Sequence, residues 1–492
     1  MSNQNNTSSR KIYWFAFLNL FFSIVSSGQS SFLPAPRISI SHHQGVFHEQ
    51  PVDYKATVKE SFFTPDSGRS SAVSVITTSY IKENKDTSFE RPVLFVFNGG
   101  PGASSSPLHM NAFGPWRIKD GKDSNALIEN PWSLLDVIDL VFIDPPGTGF
   151  TRVFDDKSAC AYWDVTGDAQ LFINVIKEWK MENNRASSPV FLCGESYGTT
   201  RAAGILGLAT DLPVAGAIFL SSLFDLSIVT PAPGNDMPYI LYLPGMSSVA
   251  WYHHKLNKKI KSPEQAFNEA IRFAQNEYIT ALAQGINLSV KSKERIADKL
   301  SNIIGLDKKL LLKNNLRITP LEFQLSLLAK EEKRIGQLNG QMTGTLNNPG
   351  LKSPFDDPSM TMRPSTRNIV GKYFTQSLQF QDSLPYKTLN LDVNGKWNWS
   401  TMSEDPGYMT VAPYITKALM EQAKLKLFVA GGYYDLATPL YAARYILEHI
   451  GVPSDRVTYS NFHTGHSIFE KEEDLINLSR QIRLFILDQI KK

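Results

Sequence analysis

The chain has 492 residues, 42% of them hydrophobic and 20% charged, so it is too apolar to be disordered and can bury a large core plus an insertion. Its formal net charge is only +3, and the charged residues are scattered along the sequence. This pattern excludes the basic face that nucleic acid requires, and we expect no nucleic-acid partner.

The first residues have the pattern of a secretory signal peptide. Arg10 and Lys11 precede a mostly apolar stretch at 12–25, and small residues follow at 26–28. We predict a signal peptide at 1–28, a mature chain that begins near Gln29, and an exported protein, periplasmic or secreted. The apolar run is shorter than the ~20 residues that span a bilayer, so no stable membrane insertion is expected after cleavage; an uncleaved anchor is the alternative.

The next part of the chain predicts a sheet. Residues 39–90 contain short β-type runs, which we interpret as antiparallel strands leading into the core. From Pro92, short apolar runs alternate with helical patterns, as in a parallel sheet covered on both faces. The predicted strands are 93–97, 140–143, 190–193 and 217–220, with a helix at 168–180 between the second and third.

A long insertion interrupts this alternation. Residues 224–421 carry amphipathic patterns, for example at 263–284 and 291–304, and we predict a cap over the carboxyl edge of the sheet. The core resumes at 422–492 with predicted strands 425–429 and 457–460 and helices 439–450 and 475–490. The expected architecture is α/β, with a mostly parallel central sheet formed by 29–223 and 422–492, helices on both faces and a large helical cap.

The motif Gly194-Glu195-Ser196-Tyr197-Gly198 lies directly after an apolar strand and before a helix rich in small residues. That context predicts the nucleophile elbow of the α/β-hydrolase fold, in which glycines relieve a sharp strand-to-helix turn and the serine hydroxyl stands above the sheet. An ordinary tight turn is the alternative.

A serine hydroxyl needs a base, and the base needs an orienting carboxylate; in this fold the chain order is Ser, acid, His. Asp435 follows a predicted strand, with Thr438 and Pro439 expected to begin the next helix as its cap and first-turn proline. His466 follows the next strand, and the glycine before it eases its approach to the serine. We predict a triad of Ser196, Asp435 and His466, with His463 as the rival base.

The run Asn98-Gly99-Gly100-Pro101-Gly102 ends the first core strand. Glycines at this position let backbone amides approach a developing oxyanion, and we predict an oxyanion hole formed by the amides of Gly100 and Tyr197. This chemistry requires no metal or cofactor, and none is expected. The stretch lacks the lysine of a phosphate-binding loop.

Together these motifs resemble the serine carboxypeptidase-like family, which has the α/β-hydrolase fold. The resemblance rests on NGGPGASSS at 98–106, FGP at 113–115, IDPPGTGF at 143–150, GESYG at 194–198 and the loops of Asp435 and His466. It implies a peptide substrate and removal of C-terminal residues through an acyl-enzyme. It also implies that Asn98 and Glu195 bond each other and hold the substrate's terminal carboxylate, in a site that favours acidic pH because a carboxyl beside a carboxylate shares a proton.

The sequence also departs from that family. Val96 replaces the tryptophan commonly found two residues before the asparagine, Ala112 replaces a second glutamate, and Ala103 replaces a cysteine that anchors a disulfide in many members. We therefore expect weaker binding of the substrate's terminal carboxylate than in a typical member of the family. The alternatives are a proline iminopeptidase-like aminopeptidase, an esterase or acyltransferase on the same fold, and a binding protein without activity.

The chain has two cysteines, Cys160 and Cys193. We interpret them as independent thiols, with a disulfide between them as the alternative. The sequence predicts neither side-chain specificity nor an oligomeric state.

Overall fold

The computed structural model describes residues 35–65, 73–83, 91–119, 126–346, 357–360, 364–399 and 407–490. The predicted signal peptide and its cleavage site lie outside these residues. None of the helices within these ranges is long and apolar enough to cross a membrane.

A nine-stranded mixed sheet forms the centre of the fold. Its strands in chain order are β1 (Ile38–Phe47), β2 (Gln50–Phe63), β3 (Val73–Lys82), β4 (Val93–Phe97), β5 (Asp139–Asp144), β6 (Val190–Glu195), β7 (Val214–Leu220), β8 (Lys426–Gly432) and β9 (Val457–Phe462). Their spatial order is β1-β2-β3-β5-β4-β6-β7-β8-β9. The first three strands are antiparallel, as the sequence predicts, and β3 joins the parallel block through an antiparallel pairing with β5.

The direction of strand addition reverses at β4. The chain passes from β4 to β5 on one side and then to β6 on the other, and both neighbours are parallel to β4. Ligands of open α/β sheets bind beyond the carboxyl ends of the strands at such a switch point. The register pairs Phe97 with Gly194, so the residues that follow β4 and β6 leave the sheet side by side.

The alternation of side chains explains why β4 is apolar throughout. Val93, Phe95 and Phe97 belong to one buried cluster, and Leu94 and Val96 belong to the cluster on the opposite face. A strand covered on both faces needs apolar residues at every position, whereas a half-exposed strand alternates.

Helices cover both faces of the sheet and build the insertion. The described helices of six or more residues are α1 (Val165–Glu182), α2 (Tyr197–Leu208), α3 (Met237–Tyr252), α4 (Pro263–Phe273), α5 (Ile279–Gln284), α6 (Val290–Ile304), α7 (Lys308–Lys313), α8 (Pro320–Ser326), α9 (Pro364–Lys372), α10 (Leu391–Lys396), α11 (Ala412–Glu421), α12 (Leu440–His449) and α13 (Glu472–Ile490). The predicted α/β-hydrolase architecture is confirmed.

The insertion between β7 and β8 contacts the loops that follow β8 and β9. The amide of Leu436 donates to the Gln337 carbonyl at 2.9 Å, and the amide of Gly340 donates to the Tyr434 carbonyl at 2.9 Å. The predicted helix at 263–284 is α4 and α5 joined by a π-helical turn, Ala274–Tyr278. The insertion thus reaches the carboxyl edge, where a cap was expected.

Candidate active site

Ser196 occupies a sharp turn between β6 and α2. Its backbone has φ 59° and ψ −129°, a conformation that non-glycine residues rarely adopt. A Cβ on Gly194 would lie 2.2 Å from the Gly198 carbonyl oxygen, and one on Gly198 would lie 2.7 Å from the Phe97 carbonyl oxygen. Only glycine fits either position, so the flanking glycines make the turn possible. The turn places Ser196 partly exposed among buried neighbours.

Asp435 and His466 meet beyond the ends of β8 and β9. Nδ1 of His466 lies 2.8 Å from Oδ2 of Asp435, whose side chain is buried. A carboxylate only accepts, so Nδ1 carries the proton and, in the neutral ring, Nε2 is left as an acceptor. Within the described residues, no hydrogen bond joins the Ser196 hydroxyl to His466; such bonds commonly tighten only when substrate binds.

Thr438 has a role that differs from the predicted helix cap. Helix α12 begins at Leu440, with Pro439 in the N-cap position, and the Thr438 hydroxyl does not cap it. It donates to Oδ2 of Asp435 at 2.6 Å and lies 3.1 Å from Nδ1 of His466. The backbone amides of Ala437 and Thr438 also donate to Asp435 Oδ1. Sequence analysis missed this role because a threonine before Pro-Leu has the ordinary pattern of a cap.

The rival base His463 points elsewhere. Its Nε2 contacts Oε1 of Glu264 at the start of α4, and its side chain is exposed. The backbone of His466 is held in place instead, because its amide donates to the Leu338 carbonyl and its own carbonyl accepts from the Ser221 hydroxyl. The structure therefore brings His466, and not His463, into contact with Asp435.

The glycine loop after β4 lies against the elbow. A Cβ on Gly99 would lie 2.4 Å from the Tyr197 nitrogen and 2.7 Å from the Gly198 nitrogen. Gly100 has φ +102° and is exposed at the mouth of the site. Tyr197 is the first residue of α2, so its amide has no acceptor within the helix. The two amides predicted to form the oxyanion hole thus lie on adjoining segments.

Asn98 and Glu195 are brought together by the β4–β6 register. Nδ2 of Asn98 donates to Oε2 of Glu195, and Oδ1 of Asn98 accepts from the Leu108 amide at 3.1 Å. Both residues are buried, and Oε1 of Glu195 makes no hydrogen bond of standard geometry among the described residues, although the nearby Ser467 side chain stabilises the carboxylate. Such a buried carboxyl oxygen beside the elbow can bond to a ligand.

The electrostatics of this site couple Glu195 and His466. Burial raises the pKa of the Glu195 carboxyl to about 7, the charge of Glu470 acts in the same direction, and His466, Ser467 and Asn98 oppose it. For His466, burial favours the neutral ring, but the charge and hydrogen bond of Asp435 outweigh it, and with Glu195 and Glu470 they raise the pKa to about 9. Glu195 therefore stays protonated to near-neutral pH, while His466 holds its proton more tightly than an ordinary histidine does.

Glu470 is an acidic neighbour that sequence analysis missed. It lies in the turn after His466, and its Oε2 accepts from Nδ2 of Asn339 at 3.2 Å. Nothing in the sequence indicated that Glu470 lies near Glu195, because the two residues are far apart in the chain. The hydrogen bond of Glu470 with Asn339 also depends on the path of the insertion.

A second segment of the insertion supports the back of the glycine loop. The amide of Asn390 donates to the Gly102 carbonyl at 2.8 Å, and Nδ2 of Asn394 donates to the Pro101 carbonyl at 3.1 Å. Beside this contact lies a cavity of about 550 Å³, lined in part by Gly147, Trp163 and Asn390. None of the predicted triad residues lines it.

Comparison with known proteins finds serine carboxypeptidases, the family that the motifs at 98–106 and 194–198 resemble. Residues 79–207 match the family model of the serine carboxypeptidases. The pheromone-processing carboxypeptidase kex1 of Sclerotinia sclerotiorum is 31% identical over 117 residues, which are 23% of this chain and 18% of that protein. A serine carboxypeptidase S10 family member of Dictyostelium discoideum is 35% identical over 114 residues, or 22% of this chain and 19% of that one. The match thus spans about a fifth of these curated relatives.

The resemblance to the serine carboxypeptidases is confirmed. Among solved structures, the prohormone-processing carboxypeptidase Kex1(delta)p of Saccharomyces cerevisiae covers 88% of this chain and 91% of its own, with a TM-score of 0.53 and 15% identity, which shows a shared fold. Val96 and Ala112, which stand where serine carboxypeptidases commonly have a tryptophan and a glutamate, both lie in the core.

Cys160 and Cys193 are free thiols, the first exposed and the second buried.

Proposed function

We propose that this protein is an exported serine carboxypeptidase that removes C-terminal residues from peptides through an acyl-enzyme. The observation that carries the proposal is the buried pair of Asn98 and Glu195, which lies directly before the nucleophile elbow and leaves one carboxyl oxygen without a hydrogen bond of standard geometry among the described residues.

The proposed chemistry assigns one role to each residue. Ser196 Oγ attacks the scissile carbonyl carbon while Nε2 of His466 takes its proton, and Asp435 orients the ring and stabilises its charge. The amides of Gly100 and Tyr197 stabilise the oxyanion. The intermediate collapses as the C–N bond breaks and His466 returns the proton to the leaving amine. Water, deprotonated by His466, then hydrolyses the acyl-enzyme and regenerates the serine.

Asn98 and Glu195 bind the substrate's terminal carboxylate. Burial raises the pKa of Glu195 to about 7, so below that pH the side chain is a neutral donor. A protonated carboxyl donates a hydrogen bond to a substrate carboxylate, whereas an ionised one repels it. Binding of a free C-terminus should therefore weaken as the pH rises through about 7. The pH range in which the site binds a C-terminus thus reaches closer to neutral pH than the acidic range expected from the sequence.

His466, the proposed base, has the opposite dependence on pH, because it must be neutral to accept the serine's proton. Because Asp435 holds the pKa of His466 near 9, the fraction of neutral base grows as the pH rises toward that value. A substrate without a carboxylate should follow this rise, while a peptide acid should be limited on its alkaline side by Glu195. The contrast between these two substrate classes is thus the signature of the proposed site.

Export is proposed from the N-terminal pattern, in which Arg10 and Lys11 precede an apolar run and small residues. N-terminal sequencing of the native protein should find a chain that begins near Gln29. An intact N-terminus on the native protein would contradict cleavage.

The direction of cleavage tests the function. The purified protein is given one peptide with a blocked N-terminus and free C-terminus, and a matched peptide with a free N-terminus and amidated C-terminus. We expect release of the C-terminal residue from the first peptide and little reaction with the second. Cleavage that requires a free N-terminus would instead identify an aminopeptidase, and cleavage of esters alone an esterase.

A further inference from the structure

Arg201 lies within α2, at the base of the catalytic turn, with a fully buried side chain. Its Nε donates to Oδ2 of Asp168 at 2.7 Å, and its Nη2 donates to Oδ1 of the same carboxylate at 3.1 Å. Its Nη1 donates to the backbone carbonyl of Asn98 at 2.7 Å. One guanidinium therefore joins helix α1, helix α2 and the start of the glycine loop.

The partner carboxylate reaches the other side of the oxyanion site. Oδ2 of Asp168 also accepts from the hydroxyl of Tyr197 at 3.0 Å. Tyr197 carries one of the amides of the proposed oxyanion hole, and the loop that begins at Asn98 carries the other. The ion pair thus connects the two segments whose relative position sets the distance between these amides.

The bond to Asn98 acts on the orientation of the loop. A peptide unit is planar, so a fixed Asn98 carbonyl also fixes the direction in which Gly99 leaves β4. The Gly99 carbonyl in turn accepts from the Ala103 amide at 3.1 Å. That second bond orients the peptide unit that contains the Gly100 amide. Arg201 therefore holds the first of two successive peptide planes that aim this donor.

Stability alone does not account for this ion pair. The guanidinium lies between aromatic rings, with its carbon 4.2 Å from the ring centroid of Phe172 and 5.3 Å from that of Tyr197. Taking two charges out of water carries a large free-energy penalty, and well-packed apolar residues often replace a buried pair without loss of stability. A planar fork that binds a carboxylate and a carbonyl simultaneously supplies geometry that apolar residues lack.

We propose that Arg201 and Asp168 are positioning residues that set the separation of the Gly100 and Tyr197 amides, and so tune oxyanion stabilisation during acyl transfer. The inference rests on the proposed function, because it concerns the same acyl-transfer centre. It predicts that loss of the guanidinium fork weakens transition-state binding while ground-state binding is retained.

Arg201→Lys tests the inference, because lysine keeps the charge but cannot bond Asp168 in a fork and Asn98 simultaneously. On an activated ester we expect kcat to fall about ten- to a hundredfold, since misplacement of a catalytic donor by about 1 Å can cost a hundredfold, with KM changed less than about threefold. An N-blocked amino aldehyde forms a tetrahedral adduct with the serine, and its affinity should fall by the same factor as kcat. The matching N-blocked amino acid should bind as before.

Arg91→Lys is the matched control. Nε of Arg91 donates to Oδ1 of buried Asp139 at 2.7 Å, near the opposite end of β4 from the site. This variant also replaces an arginine that bonds a buried aspartate, and its kcat and aldehyde affinity should stay at the wild-type values. Tyr197→Phe removes only the bond to Asp168 and should lower kcat by a smaller factor; it also carries the test if Arg201→Lys does not fold.

The inference is overturned if folded Arg201→Lys keeps the wild-type kcat, or if the aldehyde and the amino acid lose affinity equally. When Arg201→Lys does not fold, an unchanged kcat in Tyr197→Phe overturns it. Failure of the proposed function looks different, because it shows in the wild-type protein. An esterase or aminopeptidase would still hydrolyse the ester and bind the aldehyde but would release no C-terminal residue from an N-blocked peptide, and a protein without acyl-transfer activity would do none of these.

Discussion

Ser196 combines a strained backbone with an otherwise ordinary side chain. Its φ of 59° persists because the Ser196 amide donates to the Leu220 carbonyl of β7 at 3.0 Å and because the flanking glycines leave room for the turn. Ser196→Ala should keep this turn and remove the nucleophile. We expect kcat to fall on the order of a million-fold and labelling by a fluorophosphonate to disappear. Undiminished labelling of the alanine variant, with unchanged circular dichroism, would remove Ser196 from the mechanism.

The two histidines of the loop after β9 should differ sharply. His466→Ala deletes the ring that meets Asp435, so its loss of kcat should approach that of the serine variant. His463→Ala deletes only an exposed contact with Glu264 and should change kcat less than about threefold, because surface pairs contribute little. Steady-state kinetics on one peptide compares them. An inactive His463 variant beside an active His466 variant would exchange their roles.

At the scale of elements, the glycine loop packs directly against the elbow. Gly99→Ala would place a methyl carbon 2.4 Å from the Tyr197 nitrogen, and backbone atoms cannot yield cheaply. We expect the loop to be displaced and kcat to fall at least about a hundredfold, as when one oxyanion donor is lost. Gly371→Ala in helix α9 is the control, because its Cβ meets nothing within 4 Å. Equal activity of both variants would show that the loop does not position the donors.

The elements themselves were largely predictable, and their functional contacts only in part. The predicted strand 93–97 agrees with β4, and 190–193 falls two residues short of β6, because apolar runs with flanking glycines mark buried strands well. The approach of Asn98 to Glu195 was implied by the family resemblance and follows physically from the β4–β6 register. The contact of Leu338 with His466 was not predictable, since the path of a long insertion depends on tertiary packing.

At the scale of the whole molecule, Glu195 and His466 make the free energy of unfolding depend on pH. The pKa of Glu195 is about 7 in the folded chain against an ordinary value of 4.5, so the folded state binds more protons between these values. This contribution to the free energy of unfolding is full below about pH 4.5 and is lost as the pH rises through about 7. His466 acts likewise at higher pH, with stability lost as the pH rises through about 9.

Glu195→Gln removes the first of these titrations. At pH 8 we expect the variant to be more stable than the wild type by as much as about 3 kcal/mol, and at pH 4 to be equal to it, because a shift of one pKa unit corresponds to about 1.4 kcal/mol. Urea unfolding at a series of pH values measures the difference. A gap that is the same at pH 4 and pH 8 would show that Glu195 does not titrate between them.

The proposed function depends above all on the binding of a substrate's terminal carboxylate by Asn98 and Glu195. The most direct measurement is the ratio of kcat/KM for a blocked dipeptide acid to that for its C-terminal amide, from pH 5 to pH 9, in the wild type and in Glu195→Gln. We expect a wild-type ratio well above one that falls as the pH rises through about 7, and a ratio independent of pH in the variant. Equal cleavage of acid and amide by the wild type at every pH, or the same pH dependence in both proteins, would contradict it.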